Sequence, residues 1–203
     1  MSSKNPIDKS LFQEHPVAFA EKLVGMKLQV EDCTGRIVET EAYTGPPEDL
    51  ASHAYTRKNS AAEIMQTYGR LYIYSIHGGQ ATNITCGKEQ VGAVLIRAIE
   101  PLSGIDLMIR RRSRKNTKIS TTWDSNNYKS LHSMLNGPNK LTAALGIRKA
   151  WNETPVGRYV EIIEGETPEA IVATPRIGIS ASTEHRWRFC DADSDFLSRP
   201  VTN

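Results

Sequence analysis

Two short stretches constrain the fold of this chain more than any other feature. They are Arg36-Ile37-Val38-Glu39-Thr40-Glu41-Ala42-Tyr43 and Leu71-Tyr72-Ile73-Tyr74-Ser75-Ile76-His77-Gly78-Gly79. Both are rich in β-branched and aromatic residues and alternate with a period of two, the pattern of a half-buried strand. In the first, Glu39, Glu41 and Tyr43 share a face; in the second, Tyr72, Tyr74 and Ile76 do. A carboxylate beside aromatic rings is costly to desolvate unless something partners or uses it. The pairing points to a site where a flat ring is held between aromatics and a carboxylate acts on it.

The rest of the chain supplies the frame. A helix is predicted over 12–24, with Phe19, Leu23 and Val24 on its apolar stripe and Gly25 as a stop. Strands are predicted over 27–30, 36–43, 70–76, 80–85 and 93–101, and strand-like runs over 159–164 and 171–174. Shorter helices are expected near 49–54, over 102–112 from a Ser103 cap, and over 130–135 and 139–145, with 59–65 a helical turn or loop. Residues 1–10 read as a flexible tail and 194–203 as frayed. The polar stretch 113–129 reads as a mobile insertion, because it has too few apolar residues to offset the entropy of ordering it. Neighbouring strands with peripheral helices predict an α+β fold around a curved, mainly antiparallel sheet.

Composition narrows the class. The 203 residues suffice for one domain or two small ones. A net charge of +2 is too mild to indicate nucleic acid by itself, but Arg110, Arg111, Arg112, Arg114, Lys115 and Lys118 crowd one segment. Such a segment suits phosphate contacts or a solvated helix end. Cys33, Cys86 and Cys190 are odd in number and far apart, which argues against a disulfide framework or a zinc site and for a reducing compartment. No apolar run has the length of a membrane span, and the first residues lack a signal-peptide core.

The two strands also carry a resemblance. Ile37 to Tyr43, the following Gly45-Pro46 and Ala51-Ser52-His53-Ala54, and Leu71-Tyr72-Ile73-Tyr74 are similar to the alkyladenine (3-methyladenine) DNA glycosylase family. So are Val94 to Leu102, Gly137-Pro138-Asn139-Lys140-Leu141, Pro175 to Ile179 and Arg186-Trp187-Arg188-Phe189, in the family's order across most of the chain. The resemblance implies one compact domain over 11–203. It implies a monofunctional, monomeric enzyme that needs no metal or organic cofactor. Its substrate would be double-stranded DNA containing damaged purines, alkylated ones and also hypoxanthine, and its product an abasic site. The location implied is intracellular: nuclear in a eukaryote, cytoplasmic in a bacterium, with no membrane partner.

From the residues alone, Glu39 and Glu41 compete for the catalytic role; the resemblance selects Glu41, as the activator of the attacking water. Arg97, alone in the apolar run 93–99, reads as a carboxylate partner, of Glu39 or Glu100 in a structural pair or of Glu41 by the resemblance. Such pairing is expected to lower the pKa of Glu41. By the resemblance Tyr43, His53 and Tyr74 sandwich an extruded base, and a cationic purine over aromatic faces gains about 0.5–2 kcal/mol. Asn83 would exclude guanine through its exocyclic amine, and Lys140 would contact the DNA backbone. At His77 the chain departs from the family, which places there a tyrosine that wedges into the gap left by the flipped nucleotide. The chain is also one residue short between Gly78 and Asn83.

Two other classes fit parts of the pattern. A metal-dependent hydrolase could draw on Glu39, Glu41, Asp49, His53 and His77, although no compact motif such as His-Glu-x-x-His is present. An idle nucleic-acid-binding module would not need both Glu41 and Arg97.

Overall fold

A computed structural model describes residues 5–57, 60–76, 78–115 and 127–201. His77 and residues 116–126 of the expected insertion lie outside the described residues. The strands are β1 (Lys27–Val30), β2 (Cys33–Thr44), β3 (Leu71–Ile76), β4 (Gly79–Cys86), β5 (Gly92–Ser103), β6 (Glu161–Ile163), β7 (Ile171–Thr174) and β8 (Arg188–Asp191). They form one sheet in the order β3-β4-β5-β2-β1-β6, with β8 also on β2 and β7 on β8. Every pairing is antiparallel. Among the described residues the sheet curls into a half-barrel flanked by six α-helices, the α+β architecture predicted.

Strand β2 is the hub. Strand β5 pairs along one edge of it. The other edge is divided between β1, at residues 33–36, and β8, at residues 39–41. Burial alternates along β2 as far as Arg36 and then is continuous from Ile37 to Ala42. Both faces are covered there. Helix α1 (Pro16–Leu23) covers one, its Ala20 carbonyl accepting from the Thr40 hydroxyl at 2.8 Å. The opposite face, with Glu39 and Glu41, lies against residues from 177 to 198.

Two irregularities in the β2–β5 ladder aim a key side chain. Ile37 pairs Ile99, Glu39 pairs Ala98, and Thr40 pairs Ile96. Val38 on β2 and Arg97 on β5 are thus left without a partner in this ladder. A bulge adds twist and re-aims the side chain it carries. Here Arg97 is turned toward both glutamates.

The main core packs Phe19, Leu23, Leu28, Ile37, Ile73 and Ile96 with Met108, Met134 and Leu141 from helices α4 (Ile105–Lys115), α5 (Tyr128–Leu135) and α6 (Pro138–Leu145). Pro138 opens α6, where a missing N–H costs nothing, and Gly146 closes it at φ 73°. Two short helices, α2 (His53–Thr56) and α3 (Ser60–Ile64), precede β3.

Several local expectations differ from the structure. The helix expected over 12–24 divides into a 3-10 turn, Lys9–Gln13, and α1, because Pro16 starts a new helix with the His15 ring accepting from the Val17 N–H. The helix expected from Ser103 starts at Ile105, since β5 continues through Ser103 and turns at Gly104, φ 73°. Residues expected in the flexible tail are docked from Asn5 onward: the Ile7 N–H donates to Ile162 at 3.1 Å, and Ile7 is buried. The segment expected to fray after 194 buries Phe196 and Leu197 against Val38, Ala98 and Cys190. Strand β8 lies outside the strands predicted from sequence: its Arg188 and Asp191 look like surface residues until Glu39 and Arg36 pair them.

Candidate active site

The bulged Arg97 bridges the two carboxylates of β2. Its Nε donates to Glu39 Oε1 at 2.9 Å and its Nη1 to Glu41 Oε2 at 3.1 Å. Both glutamates are fully buried. Glu41 Oε2 also accepts from the Tyr43 hydroxyl at 2.8 Å, and Oε1 from the Ile177 N–H at 2.7 Å. Each of these partners is a donor, so the hydrogen-bonded form of Glu41 is the anion. Burial nevertheless pushes the Glu41 carboxyl above the usual glutamate value, against Arg97, the Ile177 N–H and the Tyr43 hydroxyl. This corrects the expectation that Arg97 would lower it: desolvation outweighs one shared guanidinium. Burial acts on Glu39 too, but Arg97 and Arg188 together hold that carboxyl below its usual value.

A second buried ion pair braces the aromatic wall. Arg176 donates from Nη1 to Asp49 Oδ2 at 2.6 Å and from Nη2 to Asp49 Oδ1 at 2.8 Å, a bidentate pair with neither side chain exposed. Its Nη1 also donates to the Ala42 carbonyl at 2.9 Å. The guanidinium stacks 4.6 Å from the centre of the Tyr43 ring and 5.1 Å from that of Trp187. Arg176 therefore ties together β2, the loop leading to His53, and the segment that offers the Ile177 N–H to Glu41.

In front of this brace lies a cavity of about 420 Å³ lined by aromatic and polar side chains. Tyr43, His53, Tyr72, Tyr74 and Asn83 all line it, as do Arg97, Lys140 and Ile177. Tyr72 and Tyr74 are stacked at 5.5 Å, and the His53 ring meets Tyr74 edge-on at 4.5 Å. His53 Nδ1 is 2.8 Å from the Tyr72 hydroxyl. Burial and the charge of Arg57 push His53 down to about 4, and burial raises Tyr72 to about 12. Both groups are neutral near pH 7, an arrangement satisfied when Tyr72 donates to Nδ1 and Nε2 carries the imidazole proton. Asn83 faces Tyr72 across β3 and β4, and its Nδ2 donates to the Tyr72 carbonyl at 3.0 Å, which fixes the amide.

The structure thus gathers Glu41, Arg97, Tyr43, His53, Tyr74 and Asn83 around one cavity. Glu41 itself sits directly behind the wall formed by its partners Tyr43, Arg97 and Ile177. Lys140 also reaches the cavity, where its Nζ donates to Asn136 at 2.7 Å. Burial and the nearby charge of Arg112 lower its pKa. In the basic segment, Arg111 is a structural residue bonded to Glu31 and to the Leu145 carbonyl. Sequence reasoning missed Tyr72 as a pocket residue, although it shares a face with Tyr74. It also missed Arg176, Arg188 and Ser198, whose partners are remote in sequence. The metal-hydrolase constellation is dispersed: Glu39 and Glu41 hold Arg97, Asp49 holds Arg176, and His53 meets Tyr72.

Comparison with known proteins decides the family. The model of the family described as Methylpurine-DNA glycosylase (MPG) matches residues 10–195. The chain belongs to the methylpurine-DNA glycosylase family. This member is accordingly a DNA glycosylase, a DNA-repair hydrolase of N-glycosyl bonds acting on DNA. It is similar to a Shouchella clausii protein, 36% identical over 210 residues, covering 98% of this chain and 98% of the relative. A Bacillus subtilis relative is 38% identical over 211 residues, covering 97% and 98%, and one from Rhizobium johnstonii is 36% identical over 196 residues, covering 95% and 89%. All three carry the provisional name 3-methyladenine DNA glycosylase.

Proposed function

We propose that this glycosylase releases alkylated purines of the 3-methyladenine type from double-stranded DNA, with Glu41 as the base that activates the attacking water. The observation that carries this reading is the fixed Glu41 carboxylate behind an aromatic cavity whose wall includes its hydrogen-bond partners Tyr43, Arg97 and Ile177. A cavity of about 420 Å³ accommodates a purine, and a target base reaches it only when turned out of the duplex. The water oxygen forms a bond to C1′ as the N-glycosidic bond breaks. The bonding pair leaves with the purine, and the water's proton passes to Glu41. The same carboxylate offsets the positive charge that develops on the sugar.

The pocket's protonation favours cationic substrates. A purine alkylated at N3 or N7 carries a positive charge and departs neutral, with no acid needed. Hypoxanthine departs as an anion unless something protonates it, and the neutral His53 is a poor acid. Hypoxanthine is therefore the slower substrate in this reading. Asn83, held by Tyr72, reads the purine edge and rejects a guanine-type amine, while Lys140 serves the DNA backbone. The enzyme acts as a monomer without membrane attachment, in the cytoplasm if its source is bacterial like the relatives above. Among the described residues no helix is long and apolar enough to cross a membrane.

Glu41→Gln tests the reading. The amide keeps the shape but cannot take the water's proton. Base release from methylated duplex under single-turnover conditions should fall about 10²–10⁴-fold, while binding to abasic-site DNA persists. Near-normal release by Glu41→Gln, with Glu39→Gln inactive, would assign the chemistry to the other carboxylate.

A further inference from the structure

Glu39 is buried beside the catalytic carboxylate, and the reaction proposed above gives it no step. Its surroundings are more heavily bonded than those of Glu41. Oε1 accepts from Arg97 Nε at 2.9 Å, Arg188 Nε at 2.7 Å and the Ser198 hydroxyl at 2.7 Å, and Oε2 accepts from the Ser198 N–H at 2.5 Å. Ser198 also receives Arg97 Nη2 on its hydroxyl oxygen at 3.2 Å. Arg188 Nη2 donates to the next residue's carbonyl, Arg199 O, at 2.6 Å. The segment is anchored just before this point by Phe196 and Leu197 in the cluster with Val38 and Ala98, and by His132 Nε2, 3.1 Å from the Leu197 carbonyl.

We infer that the segment Phe196–Arg199 is a positioning strap for the active site, in which Ser198 and Glu39 fix the guanidinium of Arg97 so that its Nη1 stays on Glu41. The argument rests on how Arg97 divides its donors. Nε goes to Glu39, Nη1 to Glu41 and Nη2 to Ser198. A guanidinium shared between two carboxylates could rotate fully onto either one. Ser198 prevents that, because a single hydroxyl donates to Glu39 while accepting from Arg97. Arg188 supplies the second positive charge that Glu39 needs, which leaves Arg97 free to serve Glu41. The two arginines and two glutamates balance in charge, as a buried cluster must. Ser198 and Glu39 thus act through Arg97 and never touch the substrate.

The inference rests on Glu41 being the base, and the experiment separates the two ideas. Ser198→Ala, Ser198→Thr and Glu41→Gln are compared for base release from methylated duplex across pH, for affinity to abasic-site DNA, and for melting temperature. Ser198→Ala removes two charge-assisted hydrogen bonds, one to Glu39 and one from Arg97, and should slow release by about tenfold or more. It should also move the acid limb of the rate profile to higher pH, because a looser Arg97 stabilises the Glu41 anion less. Of the other groups facing Glu41, Tyr43 and the Ile177 N–H keep their bonds, and Glu39 loses the Ser198 hydroxyl but keeps Arg97, Arg188 and the Ser198 N–H as donors. DNA affinity should be unchanged, and Ser198→Thr, which keeps the hydroxyl, should restore both rate and limb. A Ser198→Ala enzyme with the wild-type rate and limb, or one slowed with no movement of the limb, overturns the strap while an inactive Glu41→Gln leaves the base in place. An active Glu41→Gln removes the base itself, and the strap with it.

Discussion

Replacing Arg176 by lysine keeps the charge and tests the brace behind Tyr43. Lysine presents one compact ammonium where arginine presents a planar fork. It can keep one contact to Asp49, so it gives up the second bond of the bidentate pair, the bond to the Ala42 carbonyl, and stacking on Tyr43 and Trp187. Each charge-assisted hydrogen bond is worth about 1.5–3 kcal/mol, and a desolvated cation–π contact about 2 kcal/mol. Because the ammonium retains part of this, a net loss of about 3–5 kcal/mol is expected, the range for a damaged buried pair. For a domain of this size that corresponds to a melting temperature lower by about 10 °C. Activity should fall further than unfolding explains. Arg176 adjoins Ile177, which donates to Glu41, and Asp49 also accepts the Thr44 and Ala51 N–H groups in the loop that leads to His53. Thermal denaturation and single-turnover base release at 25 °C, where the variant is still folded, measure the two effects separately. A melting temperature within about 2 °C of wild type, with an unchanged rate, would refute the brace; lost stability with an intact rate would confine it to folding.

Two further outcomes follow from the protonation states. Base release should decline on the acid side at a pH above the usual glutamate range, since burial raises Glu41 and the reaction needs its anion; a limb at or below that range would contradict the assignment. His53 should titrate near 4 by NMR. Its folded value lies below its unfolded one, so its contribution to stability is present above about 6.5 and is lost as pH falls toward 4, where the unfolded chain takes up the proton first. Last, Cys33, Cys86 and Cys190 are all buried with raised pKa values, Cys190 up to about 12, so native protein should resist alkylation at pH 7.5 while unfolded protein reacts at all three, as mass spectrometry would show.

The sequence by itself determined every strand named above except β8 and the sheet's antiparallel character, and its resemblance to a family pointed to the cavity's principal side chains. Glu39, Glu41 and Tyr43 share a face because alternation along one strand is a local property. Tyr74 shares a face with Tyr72 and Ile76 for the same reason, whereas the pocket role of Asn83 was legible only through the resemblance. Tertiary structure decided what those residues face. Arg97 reaches both glutamates because two ladder irregularities turn it, and a bulge depends on how two distant strands register. The rise in the Glu41 pKa was likewise outside the sequence: pairing with Arg97 could be guessed, but the desolvation that outweighs it comes from everything packed around the site. Arg176, Arg188 and Ser198 carry no local signal, since a charged residue in an irregular segment looks solvated until its partner, more than a hundred residues away, is placed against it. Local periodicity sets which way a side chain points; only the closed fold sets its partners, and in a buried site the partners determine the charge.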